Sequence, residues 1–248
     1  MSNTLPPPPT LKSLLAEGPV ALFLDFDGTL APIQDDPDTV ALPSGLGAAI
    51  VGLQALLGEA VVIISGRDIR DLSRRVPRDV WRAGGHGLDI CAPGEAAPDV
   101  PQPAPAALTH ALEVIVHGLD GARLEPKGPV VAIHYRQAPA LGPTLEARLR
   151  DALSSIDGYK LQSGKMVFEA KPDGANKGKA LTRMMKAEAF AGRVPVMVGD
   201  DTTDEDAFIA AAGLGGYAIK VGDGESAAAY RLADPQAVAD WISKQGSQ

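Results

Sequence analysis

An apolar run that stops abruptly on two carboxylates governs what this chain can become. Val20-Ala21-Leu22-Phe23-Leu24 leads directly into Asp25-Phe26-Asp27-Gly28-Thr29. A short apolar run with β-branched and aromatic members reads as a strand buried on both faces of a parallel sheet. Its C-terminal end is where an open α/β sheet binds ligands. Residues i and i+2 of extended chain point the same way, so Asp25 and Asp27 can serve one small site. Gly28 permits a tight turn and close backbone approach. Acids after a strand also cap helices and start turns, so this stretch alone leaves a structural role open.

The remaining chain repeats the pattern. A helix is expected over about 45–57, then a strand over 60–64 that ends in Ser65-Gly66-Arg67-Asp68. A helix over 68–75 and a short apolar segment over 80–83 lead to Gly84-Gly85-His86-Gly87. Alternation of strand and helix predicts a parallel sheet with right-handed crossovers. Prolines then crowd residues 93–105, which reads as a linker. Beyond it the order changes to α-β-β-α-β-β. Helices are expected over 109–117 and 145–153, and strands over 123–127, 130–136, 159–162 and 166–170, with turns at Gly128-Pro129 and Ser163-Gly164-Lys165. Residues 171–174 look like a return linker. A helix over 177–188, a strand over 194–198, a helix over 204–212, a strand over 217–221, a short helical piece over 226–230 and a helix over 237–244 complete the chain. The reading is a core of residues 1–104 and 172–248 interrupted by a small α+β insert of residues 105–171.

Composition excludes several classes. The 248 residues, 45% hydrophobic, suffice for a full core. A net charge of −8 with no long basic run argues against nucleic acid. The single Cys91 excludes an internal disulfide and a cysteine metal cluster, and reads as a buried small hydrophobe. No apolar run is long enough for a bilayer, and the proline-rich start lacks the pattern of a signal peptide. The expectation is a soluble cytoplasmic protein without a membrane partner, with Pro6 to Pro9 an extended, mobile lead-in. His110, Glu113 and His117 share one side of a helix, but ordinary solvated residues explain them better than a metal site.

Three strand ends thus carry reactive side chains: Asp25 with Asp27, Ser65, and Asp200 with Asp201 and Asp204. Asn176-Lys177-Gly178 adds a lysine at a helix start. Four signatures in this order resemble those of the haloacid dehalogenase superfamily of phosphotransferases. The resemblance implies an α/β, Rossmann-like parallel-sheet core with helices on both faces, and an insert in the place of that superfamily's C2-type caps. It implies that Asp25 attacks phosphorus, that Asp27 is the acid and base, and that Lys177 neutralises Asp25 and the transferring phosphoryl group. Phosphate oxygens would be held by Phe26, Gly28, Thr29, Ser65, Gly66 and Lys177. Several carboxylates around an anionic ester need a cation, and an all-oxygen donor set suits Mg²⁺. By resemblance Asp25 and Asp200 bind it through side chains and Asp27 through its backbone carbonyl. Asp201 and Asp204 stand behind them, orienting Lys177 or water on the ion.

Further stretches narrow the resemblance. Gly85-His86-Gly87, Glu125-x-Lys127-Gly128, His134-Tyr135-Arg136, Phe168-Glu169-x-Lys171-Pro172 and Gly199-Asp200-Asp201-Thr202-x-Asp204-Glu205 are similar to the trehalose-6-phosphate phosphatases. What this implies is hydrolysis of a small-molecule sugar phosphate, trehalose 6-phosphate. Sugar-binding roles would fall on Arg67, Gly85, His86, Gly87, Glu125, Lys127, His134, Arg136 and Glu169. Another sugar-phosphate phosphatase or a phosphomutase of the same superfamily stands as an alternative, as does a non-catalytic phosphosugar-binding protein.

Overall fold

The computed structural model describes residues 5–100, 102–164 and 166–243. Met1 to Thr4 of the lead-in, Pro101 of the linker, Lys165 of the insert's second turn and Lys244 of the terminal helix lie outside these residues. The chain divides into two compact units, one of residues 1–97 and 176–248 and one of residues 98–175.

The first unit begins with helix α1 (Leu11–Glu17) and strand β1 (Val20–Asp25). It continues with α2 (Leu46–Leu56), β2 (Val61–Ile64), α3 (Ile69–Arg75), β3 (Trp81–Gly84) and β4 (Asp89–Cys91). The second unit comprises α4 (Ala106–Val116), β5 (Arg123–Lys127), β6 (Val130–His134), α5 (Gly142–Leu153), β7 (Tyr159–Gly164) and β8 (Val167–Pro172). The first unit resumes with α6 (Lys177–Met184), β9 (Val194–Gly199), α7 (Thr202–Gly213), β10 (Tyr217–Val221), β11 (Tyr230–Leu232) and α8 (Pro235–Ser243).

In the first unit seven strands form one sheet in the order β11-β10-β9-β1-β2-β3-β4. All neighbours are parallel except β3 and β4. The strand sequence runs outward from β1 in one direction and returns on its other side as β9, so the order reverses at β1. A crevice at such a reversal is the usual ligand site of an open sheet. Every residue of β1 is buried, as a strand covered on both faces requires. Val20, Leu22 and Leu24 pack into one apolar layer with Leu14, Ile50 and Trp241, whereas Ala21 and Phe23 join Leu181, Phe190 and Phe208 on the other face. Removing a methylene from such a strand costs about 1 kcal/mol.

In the second unit four antiparallel strands follow the order β5-β6-β8-β7. Their pairing puts alternate residues on two unlike faces. Val131, Ile133, Phe168 and Ala170 face Leu108 and Leu112 of α4 and Leu145, Leu149 and Leu153 of α5. The opposite face carries Glu125, Lys127, His134 and Glu169, because Glu125 pairs with Ala132 and Ala132 with Glu169.

Several expectations need correction. Strand β6 ends at His134 instead of Arg136, because the chain turns from Tyr135 to Ala138 ahead of Pro139. Arg136 therefore sits exposed in that turn and does not share a strand face with His134. Lys171 and Pro172 belong to β8, not to a linker. Helix α6 stops at Met184, and of residues 226–230, expected as a short helix, 226–229 form an irregular segment with bends and Tyr230 opens β11. The proline lead-in is tied down: the Pro6 carbonyl accepts from the Arg231 amide and the Pro9 carbonyl from the Trp241 indole. Among the described residues no helix is long and apolar enough to cross a membrane.

Candidate active site

The site grows from the end of β1. Asp25 is the last residue of the strand, in register with Ile64 of β2, so its side chain leaves the sheet at the reversal point. Lys177 opens α6, where Asn176 caps the helix through the Lys179 amide. The Lys177 ammonium donates to Asp25 Oδ1 at 2.6 Å and to Asp204 Oδ1 at 2.6 Å. All three side chains are at most 5% exposed. Burial opposes the charge on Lys177, yet Asp25 and Asp204 outweigh it and hold the ammonium above its ordinary range.

Asp204 owes its position to the start of α7. Its Oδ2 accepts from the amides of Asp200, at 3.1 Å, and Asp201, at 3.0 Å, while Asp201 caps the helix through Thr202. This reciprocal capping box makes Asp204 a rigid anchor. Asp200 follows β9 and accepts a hydrogen bond from the Thr29 hydroxyl at 3.1 Å. Gly28, with φ +84°, lies against the Asp200 carboxylate so closely that a Cβ there would collide with it. The buried Lys220 of β10 donates to the backbone carbonyl of Asp200.

Carboxylate oxygens of Asp25, Asp200 and Asp204 lie within 4.8 Å of one another. Burial is the main force raising the pKa of Asp25; Asp204 and Asp200 add to it, and Lys177 only partly opposes it. Asp200 is raised chiefly by burial as well. Asp25, Asp200 and Asp204 against Lys177 and Lys220 still leave an excess of negative charge that a hard divalent cation would offset. Asp204 has both oxygens engaged by Lys177 and amides, which leaves Asp25 and Asp200 as the available side-chain ligands. The Asp27 carbonyl accepts none of the backbone bonds of the adjoining turn. These donors fit such an ion.

A cavity of about 400 Å³ opens here, lined by Asp25, Asp27, Ser65, Gly66, Arg67, His86, Lys177, Asp201 and Thr203. The Arg67 guanidinium grips both oxygens of Asp27, with Nε at 3.0 and 2.7 Å and Nη2 at 2.6 Å. Ser65 Oγ accepts from the Arg67 amide, the Ser65 carbonyl from His86, and the Arg67 carbonyl from Gly85. His86 takes φ +57° between Gly85 and Gly87, both also left-handed, and folds its ring against Gly66.

Not all of the expected phosphate ligands face this cavity. Phe26, Gly28 and Thr29 do not line the cavity. The Gly28 amide donates to Ala31, and the Thr29 hydroxyl is spent on Asp200. The Thr29 hydrogen bond and the close fit of Gly28 set the Asp200 carboxylate in place. Gly87 packs against Ala180, and its carbonyl accepts from Arg183. Gly85 and Gly87 shape the loop, and His86 alone of the three lines the cavity.

The second unit holds another cluster. His134 Nε2 lies 2.6 Å from Glu125 Oε2, and Lys127 Nζ lies 3.5 Å from the same oxygen. Glu169 and Gln162 are register partners on that face. The sequence reading gives no site role to Gln162 or to Lys171, although Lys171 belongs to the Phe168-Glu169-x-Lys171-Pro172 stretch and stands two residues from Glu169, on the same face. Lys220 and the Arg67–Asp27 contact also escaped that reading. A lone lysine at the end of the apolar run 217–221 was the available signal for Lys220.

Comparison with known proteins identifies the family. A model of the trehalose-phosphatase family matches residues 23–236. The trehalose-6-phosphate phosphatase of Escherichia coli K12 is 35% identical over 226 residues, spanning 90% of this chain and 85% of that protein. A trehalose-phosphate phosphatase of Mycobacterium marinum is 38% identical over 248 residues, and the match spans 92% of this chain but only 62% of that longer protein. Among solved structures, a trehalose-6-phosphate phosphatase of Aspergillus fumigatus has a TM-score of 0.74 and 25% identity, covering 96% of this chain and 98% of the other. Matched from β1 to the start of α8, this chain belongs to the trehalose-phosphatase family.

Proposed function

We propose that the chain hydrolyses trehalose 6-phosphate to trehalose and phosphate in the cytoplasm, as a Mg²⁺-dependent step of trehalose biosynthesis. The observation that carries this reading is the buried Asp25, held by Lys177 beside Asp200 and Asp204, with a second acid, Asp27, two residues away in the same cavity. A carboxylate oxygen of Asp25 attacks phosphorus in line, and the bond from phosphorus to the sugar oxygen breaks. Asp27 gives its proton to the departing alkoxide. Asp27 then accepts a proton from the water that cleaves the aspartyl-phosphate, which restores both residues and releases phosphate. Lys177 offsets the charge of Asp25 and of the transferring group, and Ser65 and Gly66, which line the cavity, hold phosphate oxygens. Asp25, Asp200 and the Asp27 carbonyl would hold Mg²⁺, which would supply positive charge toward the anionic ester. Glu125, Lys127, His134, Arg136 and Glu169 supply the carboxylates and donors that a neutral sugar rich in hydroxyls requires.

Phosphate release across a panel of sugar phosphates, with and without Mg²⁺, tests this. Turnover of trehalose 6-phosphate should exceed that of sucrose and hexose phosphates by about tenfold or more in kcat/KM, and should vanish with a chelator. An equal rate on another ester would reassign the substrate. Interconversion of phosphosugars without phosphate release would mark a mutase.

A further inference from the structure

Arg67 has two edges, and each meets a carboxylate. Its Nε and Nη2 clasp Asp27, while Nη1 donates to Asp71 Oδ2 at 2.8 Å. The guanidinium carbon lies 5.5 Å from the centre of the Phe26 ring. A planar fork held at both edges and over an aromatic face has one orientation left. Asp71 sits one helical turn beyond Arg67, on α3, and is itself gripped from behind. Arg75 Nε lies 3.0 Å from both Asp71 oxygens, and Arg75 Nη1 donates to the carbonyls of Asp38, at 3.0 Å, and Val40, at 2.6 Å. Arg67 and Arg75 are 13% and 14% exposed and Asp71 26%, so this is a shielded row of ion pairs. Burial pushes Asp71 upward, yet Arg75 and Arg67 outweigh it and hold the carboxyl below its ordinary range.

We propose that Asp71 is a positioning residue for the reaction, holding Arg67 across Asp27 so that the proton-carrying carboxylate keeps its aim. The inference rests on the reading of Asp27 as acid and base. Proton transfer needs heavy atoms within hydrogen-bond reach, and a displacement of about 1 Å can cost about a hundredfold. Without Asp71 the Arg67 fork is held by one edge and turns with Asp27. A surface ion pair of ordinary kind would instead change little.

Asp71→Asn, which keeps the shape and removes the charge, should lower kcat for trehalose 6-phosphate about 10- to 100-fold while KM stays within about threefold. In an Arg67→Gln background the same change should add less than about twofold, because Asp71 acts through Arg67. Additive losses would overturn the proposal, and so would an unchanged kcat. A rise in KM alone would make Arg67 a sugar contact and overturn it too. The Nε–Hε resonance of Arg67, assigned by its loss in Arg67→Lys, gives a readout that needs no substrate. Its protection from solvent exchange should fall about tenfold or more in Asp71→Asn, since one of two anchoring carboxylates loses its charge. Unchanged protection overturns the proposal even if the wild-type chain prefers another ester, whereas failure of wild-type turnover with lost protection counts against the substrate reading alone. Where Asp71→Asn reduces the yield of folded protein, Asp71→Glu keeps the charge and carries the same readouts, with about a three- to tenfold loss of kcat.

Discussion

Two clusters of charge in this molecule are built from similar residues and behave differently. Around Asp25, Lys177 and Asp204 the side chains are at most 5% exposed and every contact is held by a helix start or a strand end. On the open sheet face of the second unit, Glu125 is 39% exposed, His134 30% and Lys127 47%. Water screens the second group and is shut out of the first, so the same Coulombic attraction is several times larger in the first. The buried cluster is suited to bond making and breaking, which needs fixed charge. The exposed cluster is suited to recognising hydroxyls, where each contact contributes modestly and can be exchanged with water. Perturbing the two should therefore give losses of very different size.

The largest loss is expected at Asp25, the proposed nucleophile. Asp25→Asn keeps the shape and removes the attacking oxyanion, and turnover of trehalose 6-phosphate should fall by about 10⁴-fold or more. Residual phosphate release near the wild-type rate in a stopped assay would remove Asp25 from that role. Next is Lys177→Met. It leaves Asp25 and Asp204 as buried like charges, so the core should lose about 3–5 kcal/mol and much of its activity. Thermal melting of the variant with a chelator present reads this directly. A shift no larger than that of a surface lysine would break the contrast between the clusters.

Much of the buried cluster was visible in the residues because its signals are local. Val20 to Leu24 is an uninterrupted apolar run ending on Asp25, and residues 194–199 repeat that form ahead of Asp200. The contacts that join separate strand ends are not local. Arg67 and Asp27 are 40 residues apart, and nothing near either one signals the pair. Thr29 reads as a phosphate ligand because it follows the acids, yet its hydroxyl is committed to Asp200, 171 residues away. Short edge strands escaped for a related reason. Asp89–Cys91 and Tyr230–Leu232 have three residues each, too few for a period of two to show. Arg136 illustrates the opposite error: alternation was extended past His134 into a turn that Pro139 imposes.

A moderate loss is expected at Glu169. The residue is half-buried on the polar face, opposite Ala132 and Gln162. Glu169→Ala should lower kcat/KM for trehalose 6-phosphate about 10- to 100-fold, as removal of charged hydrogen bonds to a sugar does, and should leave a small aryl phosphate within about threefold. Equal losses on both esters would remove Glu169 from sugar recognition and assign it to the sheet.

The smallest effect sharpens the comparison most, because it measures how shallow the exposed cluster is. Burial pushes the Glu125 carboxyl upward, but the hydrogen bond with His134 and the charge of Lys127 outweigh it, so its pKa lies below the ordinary value. A depressed carboxyl stabilises the fold above its unfolded pKa, about 4.3, and loses that contribution as pH falls through the folded value. Wild-type protein and Glu125→Gln should therefore differ in stability at pH 6, and the difference should fade as pH drops below the unfolded value and through the lower folded one. With this exposure the difference should stay under about 1 kcal/mol and shrink with added salt. Melting both proteins from pH 3 to pH 7 checks it. A difference above about 2 kcal/mol at pH 6 would mean that the sheet-face pair is as energetic as a buried one, and the division between a rigid chemical cluster and an adaptable recognition face would fail.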